Sequence, residues 1–179
     1  MDAFTPVALA ACPEADLADI LRDRRGPDLR ALAGAEYGVY VRSGSLVPCL
    51  GGSFLMRASS APGGPVGTLD VAVLRAAPNG PTGPWTPLPN PGCPLPPAVF
   101  TLRSVDPADR DNRFARALSA QVRTDRTSIL HPLRAVRAYV VEAAPGDPSV
   151  LVARVVIALG PWRPLAAWAV LSRVQHPVT

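Results

Sequence analysis

Two arginines and a tyrosine, set in apolar runs near the C-terminus, are the residues of this chain best suited to chemistry. Arg154 is the only charged residue between Val150 and Pro161, and Arg137 and Tyr139 lie in the apolar run before it. A guanidinium or a phenol hydroxyl held beside a carbonyl oxygen can stabilise charge that develops there, so Arg154 and Tyr139 are the candidate catalytic groups. Burying a guanidinium without a partner costs several kcal/mol. Arg154 must therefore reach solvent along apolar surface, pair with a carboxylate such as Glu36, or meet an anionic or carbonyl-bearing ligand.

Other chemistries find little support. Nucleophilic catalysis of the triad type needs a positioned imidazole. His131 and His176 are the only histidines, and each precedes a proline. His131 follows Thr127-Ser128 and reads either as a loop or capping residue or as a base. There is no GxSxG, no HExxH and no glycine pattern opening a nucleotide-binding helix. Every basic side chain is arginine, so a Schiff-base lysine and a phosphate-binding P-loop lysine are excluded. Cys12, Cys49 and Cys93 have no CxxC spacing, and Asp106, Asp109 and Asp111 read as charges at a helix start. No metal site and no cofactor is expected.

The net charge is +4 and the isoelectric point about 9.5. The arginines are scattered, however, and the one cluster, Arg22, Arg24 and Arg25, is surrounded by Asp19, Asp23 and Asp28. That distribution argues against nucleic acid as a partner. An odd number of cysteines suits reduced thiols and a cytoplasmic location. The Leu9-Ala10-Ala11-Cys12 sequence looks like a lipoprotein cleavage site, but Asp2 and Pro6 precede it where a cationic start and a long apolar run are required. No run is long enough to span a membrane without Arg or Pro.

The elements that must position the candidates follow from breakers and alternation. At 179 residues the chain suits a single domain, 1–179. Residues 13–25 predict an amphipathic helix with acidic residues at its start and arginines at its end, placed to cap one end of a barrel within residues 1–30. Short strands are expected at 36–42, 53–57, 68–75 and 98–105, and a further strand at 134–143. Asp106-Pro107-Ala108-Asp109 predicts an inserted helix running to about Val122 and burying Phe114, Leu118 and Val122. Two apolar runs, 150–159 and 165–174, broken by Gly160, Pro161 and Pro164, predict a terminal β-hairpin. The proline-dense stretch 78–97 reads as a surface loop, as a lid anchored by Trp85, or as a proline-motif ligand for a partner. Together these predict a mainly β protein: an antiparallel, calycin-type β-barrel of about seven or eight strands with an N-terminal helix and one inserted helix.

In the simplest register, Tyr139 faces Arg154 and Val156 faces Trp168. One face then carries Arg137, Tyr139, Val141, Val152, Arg154, Val156, Trp168 and Val170. The other carries Val136, Ala138, Val140, Ala153, Val155, Ile157, Ala167, Ala169 and Leu171. The second set is small and aliphatic, as packing against a helix requires; the first suits a largely apolar ligand pocket. Trp168, Val152, Val156, Val170, Arg137, Trp85 and Tyr40 are thus expected to bind ligand.

Three segments, Val105-Asp106-Pro107-Ala108-Asp109-Arg110-Asp111-Asn112, Pro132-Leu133-Arg134-Ala135-Val136-Arg137-Ala138-Tyr139-Val140-Val141 and Ala158-Leu159-Gly160-Pro161-Trp162-Arg163, together with Gly83-Pro84-Trp85, resemble an uncharacterised bacterial group of lipocalin-like proteins. The resemblance implies a small barrel with an apolar interior and no assigned reaction. Where that group carries an acidic residue before the tyrosine and a lysine in the next strand, this chain has Ala138 and Arg154. In size and plan the chain is also similar to the small barrel cyclases of bacterial polyketide pathways. Three functions are compatible with these readings. The first is a barrel binding a large, mostly apolar metabolite and acting as a cofactor-free cyclase or isomerase. The second is a non-catalytic carrier or sensor with the same pocket, and the third a protein-interaction module working through the proline-rich segment. A homodimer is compatible with each.

Overall fold

The computed structural model describes residues 4–42, 52–59, 68–76, 80–86, 98–105, 114–123, 132–158 and 164–175. Eight antiparallel strands close into a barrel in sequence order, and the last pairs with the first. They are β1 (Glu36–Val41), β2 (Gly52–Ser59), β3 (Thr68–Arg75), β4 (Ala98–Ser104), β5 (Leu118–Val122), β6 (Val136–Ala144), β7 (Asp147–Ile157) and β8 (Leu165–Arg173). Closure leaves no edge strand with unpaired backbone groups. The expected barrel is therefore present, with the terminal hairpin as β7 and β8.

Alternation divides every strand into an inner and an outer face. Tyr37, Val41, Met56, Ala58, Leu69, Val71, Leu102, Leu118, Val140, Leu151, Ala153, Ala167, Ala169 and Leu171 form one buried cluster inside the barrel. A second cluster lies on the outer wall of β6, β7 and β8, where Tyr139, Val141, Val152, Val156, Trp168 and Val170 pack with Leu9, Leu17 and Leu21. Those leucines come from two helices, α1 (Pro6–Ala11) and α2 (Glu14–Asp23).

Helix α2 forms where its sequence predicts, with Glu14 and Asp16 at its start and Arg22 in its last turn. It lies along the flank of β6 and β7 and not across the barrel end. The end is closed instead by a one-turn helix, α3 (Leu29–Leu32), capped by Asp28 Oδ1, which accepts from the Arg30 amide at 2.9 Å. Leu32 is fully buried within the inner cluster. Tyr37 seals the same end, donating its hydroxyl to the Pro148 carbonyl at 2.7 Å. Gly26 lets the link between α2 and α3 lie against β5: its amide donates to the Arg116 carbonyl at 2.7 Å, and a Cβ there would lie 2.7 Å from Leu118 Cγ.

The expected inserted helix is corrected over its C-terminal part. Leu118–Val122 is strand β5, paired with β4 and β6; residues 106–113 lie outside the described residues. Residues four apart fall on the same side of a helix and also of a strand, so burial of Leu118 and Val122 fits both. The only helical turn near the β5–β6 connection among the described residues is a short 3-10 turn, Pro132–Ala135. No described helix is long and apolar enough to cross a membrane.

Candidate functional site

The two strand faces have the reverse of their expected assignment. Ala138, Val140, Ala153, Val155, Ala167, Ala169 and Leu171 point into the barrel, whereas Tyr139, Val152, Arg154, Val156, Trp168 and Val170 point outward. The reason is curvature. Side chains from all strands converge inside a small barrel, so the alanines of β6, β7 and β8 share the interior with the larger Tyr37, Phe54, Met56 and Phe100, while the outer wall of β6–β8 diverges and admits packed helices. Tyr139 faces Arg154 as expected, but Trp168 also faces Arg154 and not Val156. That displacement by two residues preserves which residues share a face.

Inside, the chain builds an apolar lining. At the end closed by Leu32 and Tyr37 the inner residues are buried. Toward the other end Val39, Phe54, Val73, Phe100, Ala120, Ala138 and Val155 are only partly buried. Each lies at or beyond the midpoint of its strand, on the side of Val41, Val136 and Ile157. The lining is thus fully buried at one end, while at the other these partly buried side chains are interspersed with buried ones, Val41, Val122 and Val136. None of these seven side chains can donate or accept a proton, so this lining can hold a hydrocarbon surface but supplies no acid or base.

Outside, β6, β7, β8 and the residue just past β1 place Tyr139, Arg154, Trp168 and Arg42 in one lateral row. Tyr139 faces Arg154, Arg154 faces Trp168, and the Arg42 amide donates to the Trp168 carbonyl at 3.0 Å. The Arg154 guanidinium lies 5.6 Å from the centroid of the Phe114 ring and 5.7 Å from that of Trp168. Phe114 in turn meets the Tyr139 ring at 4.9 Å. Stacking between two aromatic faces stabilises a half-buried guanidinium by about 0.5–2 kcal/mol per ring. Arg154 thus lies along apolar surface, and Glu36 pairs with Arg57 at 2.5 Å.

The remaining ligand-binding candidates are spread over the same outer wall. Tyr40 is half-buried on β1 opposite Val170 and Ser53, and Arg137 lies on β6 opposite Gln121 and Val156. Trp85 is not at the barrel mouth. Its ring covers Gly38 on the outer face of β1, and Ser172 Oγ donates to the Pro81 carbonyl at 3.3 Å. The described residues 80–86 of the proline-rich stretch therefore follow the wall; residues 78–79 and 87–97, with the remainder of the expected lid, lie outside the described residues. The loop carrying His131, like His176, is also outside them.

At the closed end a groove of about 660 Å³ runs between the α2–α3 link and the ends of β3, β4 and β5. Arg30, Ser104 and Arg116 along it are exposed, so their polar groups keep their hydration and bind ions weakly. Only the β1–β8 closure makes Arg42 and Trp168 neighbours, so no local pattern in the sequence pairs them. No family model, curated protein or solved structure matches this chain.

Proposed function

We propose that this protein binds a large, mostly apolar small molecule in the partly accessible end of its barrel, as a carrier or sensor. The observation that carries this reading is the ring of half-buried inner side chains, Val39, Phe54, Val73, Phe100 and Val155. Leaving such groups in contact with water forgoes roughly 25 cal/mol for each Å² of apolar surface, a cost that an apolar ligand would remove. A protein whose interior served stability alone would bury that end as fully as the other.

Cofactor-free cyclisation or isomerisation would run in this lining on shape alone. Arg154 and Tyr139 belong to the outer wall, and the seven partly buried inner residues offer no oxyanion donor. Retention of an unaltered ligand is the better match to these residues.

Native mass spectrometry of the full chain purified from its source tests the proposal. The expected result is a protein ion carrying a stoichiometric adduct that organic extraction removes and that proves to be a mainly hydrocarbon metabolite. A chain of unmodified mass that also refuses apolar probes would overturn it.

A further inference from the structure

In the groove at the closed end, open space, apolar surface and unpaired charge meet. Its volume of about 660 Å³ falls within the roughly 300–1,000 Å³ usual for small-molecule sites. One side is the α2–α3 link and α3, with Pro27, Leu29 and Arg30; the other is formed by Leu69, Ser104 and Arg116 at the ends of β3, β4 and β5. The Gly26 amide, donating to the Arg116 carbonyl at 2.7 Å, ties the two sides together. Leu69 and Leu118 are buried, but Leu29 is only half-buried and Ala33 and Ala115 are exposed, so apolar surface of the lining stays in contact with water.

Arg30 and Arg116 bring two positive charges to this surface. Among the described residues, neither guanidinium makes a hydrogen bond or an ion pair. Arg30 serves the fold through its amide and Arg116 through its carbonyl. Asp28 is the acidic residue of the described lining, and its Oδ1 accepts from the Arg30 amide at 2.9 Å. With two arginines against one aspartate, the described lining carries a net positive charge.

The geometry points to this groove as a binding site for an amphipathic organic acid, a carboxylate carried on a compact apolar body. The carboxylate lies in the field of Arg30 and Arg116, and the body covers Leu29, Ala33 and Ala115. Neither part suffices by itself. Each exposed arginine keeps its hydration, so a bare inorganic anion is held weakly. A neutral apolar molecule gains from burial but forgoes the charge. The groove is outside the barrel, at the end opposite the proposed interior site, and either site can stand without the other.

The test is a nitrogen–proton correlation spectrum of the labelled full chain, read at the backbone amides of Gly26, Leu29, Leu69 and Leu118. Sodium 3-phenylpropanoate, neutral 3-phenylpropanamide and inorganic phosphate are titrated at matched ionic strength. The expected result is a saturable shift of these amides with the acid, at one shared midpoint, and binding about tenfold weaker for both the neutral amide and phosphate. Arg30→Gln and Arg116→Gln each raise that midpoint about two- to fivefold, and the double variant about tenfold. Both substitutions alter exposed side chains, and the same spectrum reports that each variant is folded. Equal affinity for the acid and its neutral amide, phosphate binding as tightly as the acid, or an unchanged midpoint in the double variant would overturn the proposal. So would shifts confined to the interior positions Val73, Phe100 and Val155.

Discussion

The indole of Trp85 occupies the space that a side chain at Gly38 would take: a Cβ built there overlaps the ring. The strap of residues 80–86 is thereby tied to the middle of β1, and Gly83, at φ 86°, sets the turn that delivers the tryptophan. Gly38→Ala should destabilise the fold by about 1–3 kcal/mol, because either the ring or the strand must shift. In Trp85→Ala, adding Gly38→Ala should cost little more. Chemical denaturation of the two single variants and the double variant checks this; equal costs of Gly38→Ala in both backgrounds would contradict the contact.

Leu32 should matter more to stability than any other residue of the N-terminal segment outside α1 and α2. It is fully buried inside the barrel, carried there by a helix of a single turn. Leu32→Ala should cost about 2–5 kcal/mol, with a lower denaturation midpoint. A loss under about 1 kcal/mol would mean that the barrel end can collapse around the missing side chain.

Much of the wall is legible in the sequence, and the reason is physical. Alternation in Thr68–Arg75 and the breakers around 158–164 point directly to strands β3, β7 and β8. What is illegible is which face closes inward. Alanines 138, 153, 167 and 169 look like a helix-packing surface until the strands are known to curve, and then they mark the inside. Leu118 and Val122 satisfy helix and strand equally well, while the Asp106-Pro107 start signal tips that reading toward helix. The contacts of Trp85 with Gly38 and of Arg42 with Trp168 join segments far apart in sequence, so no local pattern announces them.

Tyr37 gives the barrel an alkaline limit. Burial, the dominant cause, pushes its phenol above the usual 10.0, with nearby Arg173 opposing the shift. Folding thus keeps this hydroxyl protonated at a pH where the unfolded chain ionises. Its stability contribution is complete below a pH of about 10 and declines as pH rises toward the elevated folded value. Tyr37→Phe loses the hydrogen bond to Pro148 and should cost about 1 kcal/mol near neutral pH. The gap between wild type and variant should then shrink as pH passes about 10. Urea midpoints measured across that range check the sign, and a constant or widening gap would refute it.

Ala138 lies on the partly accessible part of the inner lining, between Ala120 and Val155. The most direct test of an apolar binding interior is titration with a neutral, apolar fluorophore such as N-phenyl-1-naphthylamine. Wild type and Arg154→Met should both show saturable enhancement at one probe per chain, and Ala138→Phe, folded but filled, should show none. Absent enhancement in the wild type, or enhancement that Ala138→Phe leaves intact, would contradict the proposed interior site.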